Sequence, residues 1–203
     1  VRVTGSETNT LVQALQMAQA HFNFDLSKPG QAQLLLDQMT TAGRAGVIEL
    51  EDLSQAFAAS AANAKRAGLS FEETLAIYEA FGTSTTKDRL GTLVSSTLAV
   101  FTNANYMKEA QKATGVRFFH AKGEQRAALD VIADIKQSYD KLTTDKDRFR
   151  FISKAFGKAD KDTIIGINEA LKAGTLEQIT EIVARIRSAS GTIEGNLDES
   201  MDN

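Results

Sequence analysis

The chain has 203 residues, 42% hydrophobic and 24% charged, which suits one large or two small folded domains and argues against a disordered chain. A net charge of −3 leaves no strongly basic footprint of the kind a nucleic-acid-binding domain carries. The absence of cysteine excludes disulfides and thiolate metal sites, and one proline against 14 glycines favours helices broken at glycines over a β-sandwich.

The sequence starts at Val1, so the segment is expected to be excised from a longer chain, and no charged start leads into an apolar run of the signal-peptide kind. A first helix is expected over about 8–22, with Leu11, Leu15 and Phe22 on one side. Ser27-Lys28-Pro29-Gly30 interrupts it, and Pro29 suits the first turn of a second helix over about 29–42. That helix should bury Leu34, Leu35 and Met39 and stop at Gly43, with Gly43 and Gly46 in a loop.

Residues 49–67 carry Leu50, Leu53, Phe57, Ala61 and Ala64 at steps of three and four, a narrow stripe whose alanines admit a close partner helix. Gly68 stands where a left-handed cap belongs, and Ser70 with Glu73 has capping-box spacing. The next helix should bury Phe71, Leu75, Tyr78 and Phe81 and end at Gly82. Thr83-Ser84-Thr85-Thr86 offers N-cap oxygens to a helix over about 87–103, with Leu90, Leu93, Val94, Leu98 and Phe101 inward. The run from Leu90 to Phe101 is too short and too polar to cross a bilayer.

A short helix near 105–113 leads to Gly115 and a β-like run, Val116-Arg117-Phe118-Phe119, in a chain otherwise helical. Ala121-Lys122-Gly123 then reverses the chain, and both Gly68 and Gly123 are expected at positive φ. Leu129, Ile132, Ile135, Tyr139 and Leu142 mark the following helix. Thr143-Thr144-Asp145 should cap another, with Phe149, Ile152 and Phe156 inward and Gly157 closing it. Asp160 opens a helix carrying Ile164, Ile165 and Leu171, ending at Gly174. Thr175 and Gln178 have capping-box spacing ahead of Leu176, Ile179, Val183 and Ile186.

The fold class expected is therefore all-α, eight to ten short-to-medium helices joined by glycine turns, with one short β-turn or hairpin near 116–125. Leu53, Phe57, Leu75, Tyr78, Leu98, Phe118, Ile132, Ile152, Phe156 and Ile182 should be buried. No sustained heptad or solenoid repeat appears. One-sided apolar faces need cover, and packing within the chain supplies it most directly, so a compact or modestly elongated body is expected.

Candidate chemistry is sparse. His21 and His120 lie far apart in sequence without carboxylates at metal-ligand spacing, and both read as structural or surface groups. Gly157-Lys158 lacks the rest of a phosphate loop, since Ala159 follows the lysine. Glu72, Glu73, Asp145 and Asp147 occupy first turns of helices, where the macrodipole favours them. Lys65-Arg66 and Arg148 with Arg150 are small basic spots that read as solvated surface. No catalytic, cofactor-binding or metal-ligating residue is nominated, no cofactor is expected, and the chain reads as a non-enzyme.

Three blocks carry a resemblance. LEDLSQAFAASAANAKRAGLSFEETLAIYEAF (50–81), GVRFFHAKGEQRAALDVIADI (115–135) and FISKAFGKADKDTIIGINEAL (151–171) resemble, in this order and spacing, the core region of bacteriophage or prophage tail tape-measure proteins. The resemblance covers roughly residues 47–190, a core-like helical region, which leaves an N-terminal helical extension (1–46); from Ser188 onward the chain is Gly-, Ser- and acid-rich with few apolar residues, and a flexible tail is expected over 191–203. It implies a fragment of a structural protein that sets tail length during assembly and occupies the tail tube until the genome is ejected. Its partners would be the tail tube protein and tail assembly chaperones, with self-association through helices a further possibility. Specific nucleic-acid binding and a membrane segment are not expected, and the location implied is the tube lumen of the virion tail, with the host cytoplasm during assembly. Two alternatives stay open: a helical adaptor or scaffold domain binding one protein partner, and a peptidoglycan-degrading enzyme of a tail.

Overall fold

A computed structural model describes residues 5–46 and 48–188. Among these residues the chain forms ten helices: α1 (Gly5–Phe22), α2 (Pro29–Ala45), α3 (Leu50–Arg66), α4 (Phe71–Phe81), α5 (Lys87–Thr102), α6 (Ala104–Thr114), α7 (Ala128–Asp140), α8 (Asp145–Phe156), α9 (Lys161–Leu171) and α10 (Thr175–Arg187). The only β pairing among them is a single antiparallel bridge between Phe119 and Gln125. The fold is all-α. The stretch expected to form a flexible tail, 191–203, lies outside the described residues.

α3 and α5 form the centre. α1 lies along α3, α9 along α5, α6 against α8, and α10 closes the body against α4 and α2. One hydrophobic core runs through all of these helices, from Ala14 to Ile186, so the apolar faces are covered within the chain. All ten residues expected in the core are buried. Phe57 sits in an aromatic cluster with Phe22, Phe71 and Tyr78, at ring separations of 5.7, 5.2 and 6.4 Å. The hydroxyl of Tyr78 lies 2.5 Å from that of Ser60, and burial raises its pKa, an effect that this hydrogen bond only partly offsets.

The close α3–α5 approach follows from small side chains on both helices. A methyl at Gly91 would stand 2.9 Å from the Ala59 Cβ and 3.0 Å from the Ala56 carbonyl oxygen. The same device recurs between α5 and α9, where Gly166 faces Thr97.

Local signals set several helix ends. Ser70 and Glu73 form the expected capping box: the Ser70 hydroxyl accepts from the Glu73 N–H, and the Glu73 carboxylate accepts from the Ser70 N–H. Thr144 and Asp160 each accept from the backbone N–H three residues on. Burial raises the Asp160 pKa, but the hydrogen bonds from the Thr163 hydroxyl and N–H, together with those of the Asp160 and Asp162 backbone, outweigh it and hold the carboxyl below its ordinary value. Gly68 and Gly123 adopt φ of 77° and 87°, as expected. Replacing Gly68 by valine should cost more than about 1 kcal/mol, because β-branched residues disfavour such angles. Urea denaturation with an unchanged midpoint would contradict this.

Other expectations are corrected. Gly43 does not stop α2, which continues to Ala45 and ends with Gly46 at its cap. The reason is tertiary: the turn is held by buried Glu79 of α4, whose Oε2 accepts from the Ile48 N–H at 3.1 Å, and a Cβ on Gly46 would collide with that side chain. Glu79→Ala should cost about 1–3 kcal/mol by leaving the Ile48 N–H buried without this partner; calorimetry showing no loss would refute the clamp. Thr86 stands at the N-cap of α5 without a side-chain bond. Thr175 is no cap either, because left-handed Gly174 holds that position and its carbonyl accepts from the Gln178 N–H.

Phe149, Ile165 and Leu34, expected inside, are 73%, 39% and 37% exposed. In α8 the covered stripe contains Ile152, Ala155 and Phe156, with Phe151 stacked edge-on against Tyr139 at 5.9 Å. Phe149 lies about 60° round the helix from Ile152, at the N-terminal end of that stripe, and Phe151 makes the aromatic contact with α7 instead. Ile165 is likewise turned away because the face of α9 buried in the packed body is the one carrying Thr163, Gly166, Ile167, Ala170 and Leu171.

Candidate interaction surface around the central turn

The stretch from Gly115 to Ile135 is built as a fastened loop. Gly115 ends α6 in the left-handed region, φ 74°, and sends the chain back across α5. Phe118 is fully buried, its ring 5.4 Å from that of Phe101. Beyond it the hairpin is short: the His120 N–H donates to the Glu124 carbonyl at 2.8 Å and the Arg126 N–H to the Phe118 carbonyl at 2.9 Å.

Two glutamines tie this loop to its neighbours. The Gln111 Oε1 accepts from the Phe118 N–H at 3.0 Å, and the Gln125 amide donates to the Phe101 carbonyl at 2.8 Å. Arg126 donates to the Arg117 carbonyl and pairs with Asp134 at 2.8 Å, so the loop is also held to the first turns of α7. The Ala128 N–H reaches the Ala67 carbonyl at 3.1 Å, joining α7 to the end of α3.

Two surface grooves flank this region. One, of about 530 Å³, runs between Phe101, Met107, Phe119 and Gln125, with Arg66 and Lys108 at its edge. The other, of about 400 Å³, is bordered by Tyr139, Phe149, Ile152 and Ile164. Arg148 lies over the Tyr139 ring at 5.6 Å and donates to the Leu142 carbonyl at 3.2 Å, so it serves packing as much as charge.

The polar residues singled out from sequence do not converge. His120 is exposed on the hairpin and His21 is half-buried at the end of α1. Among the described residues no group of three or more histidine, aspartate or glutamate side chains could hold a metal ion. Glu73 belongs to its capping box, Glu72 accepts from Gln38 at 3.1 Å, and Asp147 pairs with Arg150 at 3.7 Å. Asp145 is exposed in the first turn of α8. Gly157 has φ −64° and caps α8, while Lys158 reaches Glu109 of α6 at 3.1 Å.

That last contact marks what sequence reading missed. The hydrogen bond and charge of Lys158 hold the Glu109 carboxyl below its ordinary pKa, against a small opposing effect of burial, and Lys112 and Lys108 add to the shift. Lys108 and Lys112 of α6 and Lys158 of the turn after α8 thus act on one carboxylate, Lys158 by direct contact. Their positions, some 45 residues apart in the chain, carry no common motif, and only the α6–α8 contact assembles them.

The family model for phage-related minor tail protein matches residues 2–157, beginning ahead of the three blocks described above and ending within the third. No curated protein and no solved structure matches the chain.

Proposed function

Because this chain belongs to the phage-related minor tail protein family, with a structural place in a phage tail, we propose that it is a segment of a tape-measure protein. In this reading residues 47–190 are the core region and residues 1–46 a helical extension. The parent protein sets tail length during assembly in the host cytoplasm and occupies the tube lumen until the genome leaves. Tail tube protein and tail assembly chaperones are its partners, and it acts without catalysis. The observation that carries the reading is the ordered set of three blocks at 50–81, 115–135 and 151–171, overlapping a family match that reaches from residue 2 to residue 157.

Physical requirements support it. A ruler needs contour length and partner surfaces, and helix supplies about 1.5 Å of length per residue, or roughly 300 Å for a chain of this size laid out in one line. The packed body is a different state, in which α10 returns to α2 and α4. Lying along a tube would require these inter-helix contacts to open while most helices persist. No helix among the described residues is long and apolar enough to cross a membrane.

In-frame deletions in the parent gene test the proposal. Tails should shorten in proportion to the residues removed. Failed assembly with no change of length would favour an adaptor, and murein hydrolysis lost on mutating one carboxylate would favour a tail enzyme; either outcome overturns the ruler.

A further inference from the structure

Several helices of this body are tied to a neighbour by a polar contact as well as by burial. The Gln38 amide of α2 donates to the Glu72 carboxylate of α4 at 3.1 Å, and the Thr163 hydroxyl of α9 donates to the Ser96 carbonyl of α5 at 2.8 Å. Lys136 of α7 reaches the Leu171 carbonyl of α9 at 3.3 Å, and Lys158 after α8 pairs with Glu109 of α6. α10 differs. Among the described residues none of its hydrogen bonds or ion pairs reaches another helix: Arg185 pairs with Glu181, and the Thr180 hydroxyl donates to the Leu176 carbonyl, both within α10. What holds it against α4 and α2 is its buried apolar stripe, Ile179, Ile182, Val183 and Ile186.

The seat beneath α10 is incompletely filled. An apolar cavity of about 10 Å³ lies between Leu176 and Ile179 of α10 and Ile77 and Phe81 of α4, with Leu129 and Ala170 also in its wall. Atoms that face a void lose their dispersion contacts on that side, which weakens this seam relative to the filled α3–α5 one. The link to α9 is three residues, Lys172-Ala173-Gly174. Gly174 is left-handed, φ 86°, and a Cβ there would meet nothing within 4 Å, so the pivot is not packed against the body.

We propose that α10 is a strap: it leaves the body as one unit, pivoting at Gly174, while α3, α5 and α9 stay packed, and so uncovers the sides of α4 and α2 that it covers when closed. No polar partner crosses the seam, so opening orphans no buried donor or acceptor in what remains. The cost is the exposure of one apolar stripe and its seat, a sub-global opening below that of the whole fold. This inference concerns the chain by itself and is independent of the ruler reading.

Native-state hydrogen exchange on the full chain, read by NMR residue by residue at a series of low urea concentrations, tests it. The amides from Ile179 to Ile186 should exchange at one common rate, about a hundredfold faster than the slowest amides of α3 and α5. Their urea dependence should be above zero and below that of α3 and α5, because a strap exposes less surface than the whole fold. Gly91→Ala gives a second arm. It strains the α3–α5 seam, which stays closed when the strap opens, so protection in α3 and α5 should fall about tenfold while that of α10 holds. The parent chain decides the question should that variant fail to fold. Exchange of α10 in step with α3 and α5, at the same rate and urea dependence, overturns the proposal. So does a gradient of rates rising toward Arg187 without urea dependence, which is fraying, or an equal loss of protection in α10 and α5 in Gly91→Ala.

Discussion

Phe57→Ala is expected to remove about 3–5 kcal/mol of stability, the range for deleting a fully buried ring from a core that cannot close over the space. Phe57 has no exposed surface, and its ring touches those of Phe22 at the end of α1, Phe71 at the start of α4 and Tyr78 further along α4. Its loss opens a cavity where three helices meet. At about 2–4 °C per kcal/mol for a chain of this size, the melting midpoint should drop by roughly 10 °C. Hydrogen exchange should also rise first in α1, because Phe22 loses the aromatic neighbour that fastens it to α3. A melt within 2 °C or so of the parent would mean that the cluster is not the centre of the core.

The second large effect comes from glycine-to-alanine substitutions read as a set. In a helix interior such a change ordinarily stabilises by about 0.5–1 kcal/mol, because alanine has less backbone freedom to lose. Gly30, in the first turn of α2, has nothing within 4 Å of where its Cβ would stand, and should follow the sign of that rule at the low end of its range. Gly91 and Gly166 should reverse it. At Gly91 the new methyl meets the Ala59 Cβ at 2.9 Å and the rigid backbone of α3, so α5 must move away. At Gly166 it runs into Thr97, which is itself held by a 2.7 Å bond to the Leu93 carbonyl and is 3% exposed. Each should cost about 1–3 kcal/mol, the usual range for overpacking a filled core. Denaturant midpoints for the three variants give the comparison directly. Destabilisation of equal size at Gly30 would show that the cost lies in the helices themselves and not in their contacts.

The proposed ruler and the packed body make different demands on the same contacts. The glycines that let α5 lie close to α3 and α9 give a dense interior. Among the described residues, the α3–α5 seam carries the Asn63–Ser95 bond of 2.6 Å and, at its end, the partly exposed Lys87–Asp52 pair at 2.7 Å. Between α5 and α9 the Thr163 hydroxyl donates to the Ser96 carbonyl at 2.8 Å, and Arg89 pairs with Asp162 at 3.0 Å. Shape and burial therefore carry most of the tertiary stability, as expected where small residues face one another.

By itself the sequence determined the helical class, most helix boundaries, the capping box of Ser70 and Glu73, the caps at Thr144 and Asp160, the left-handed glycines 68 and 123, and the core from Leu53 to Ile182. These are local: a cap joins residues three apart, a left-handed turn is a property of one residue, and an apolar stripe repeats within a helix. The tertiary structure alone decided which part of a stripe is covered. In α8 both Phe149 and Phe151 were available, and the ring of Tyr139 selected Phe151, leaving Phe149 outside. It decided too that α2 runs past Gly43, because Glu79, far along the chain, fixes the turn after it. The Lys158–Glu109 pair exists only because α6 and α8 pack together, which no local spacing specifies. Side-chain period tells where a helix can bury residues, whereas the direction from which a remote helix arrives fixes which of them it buries.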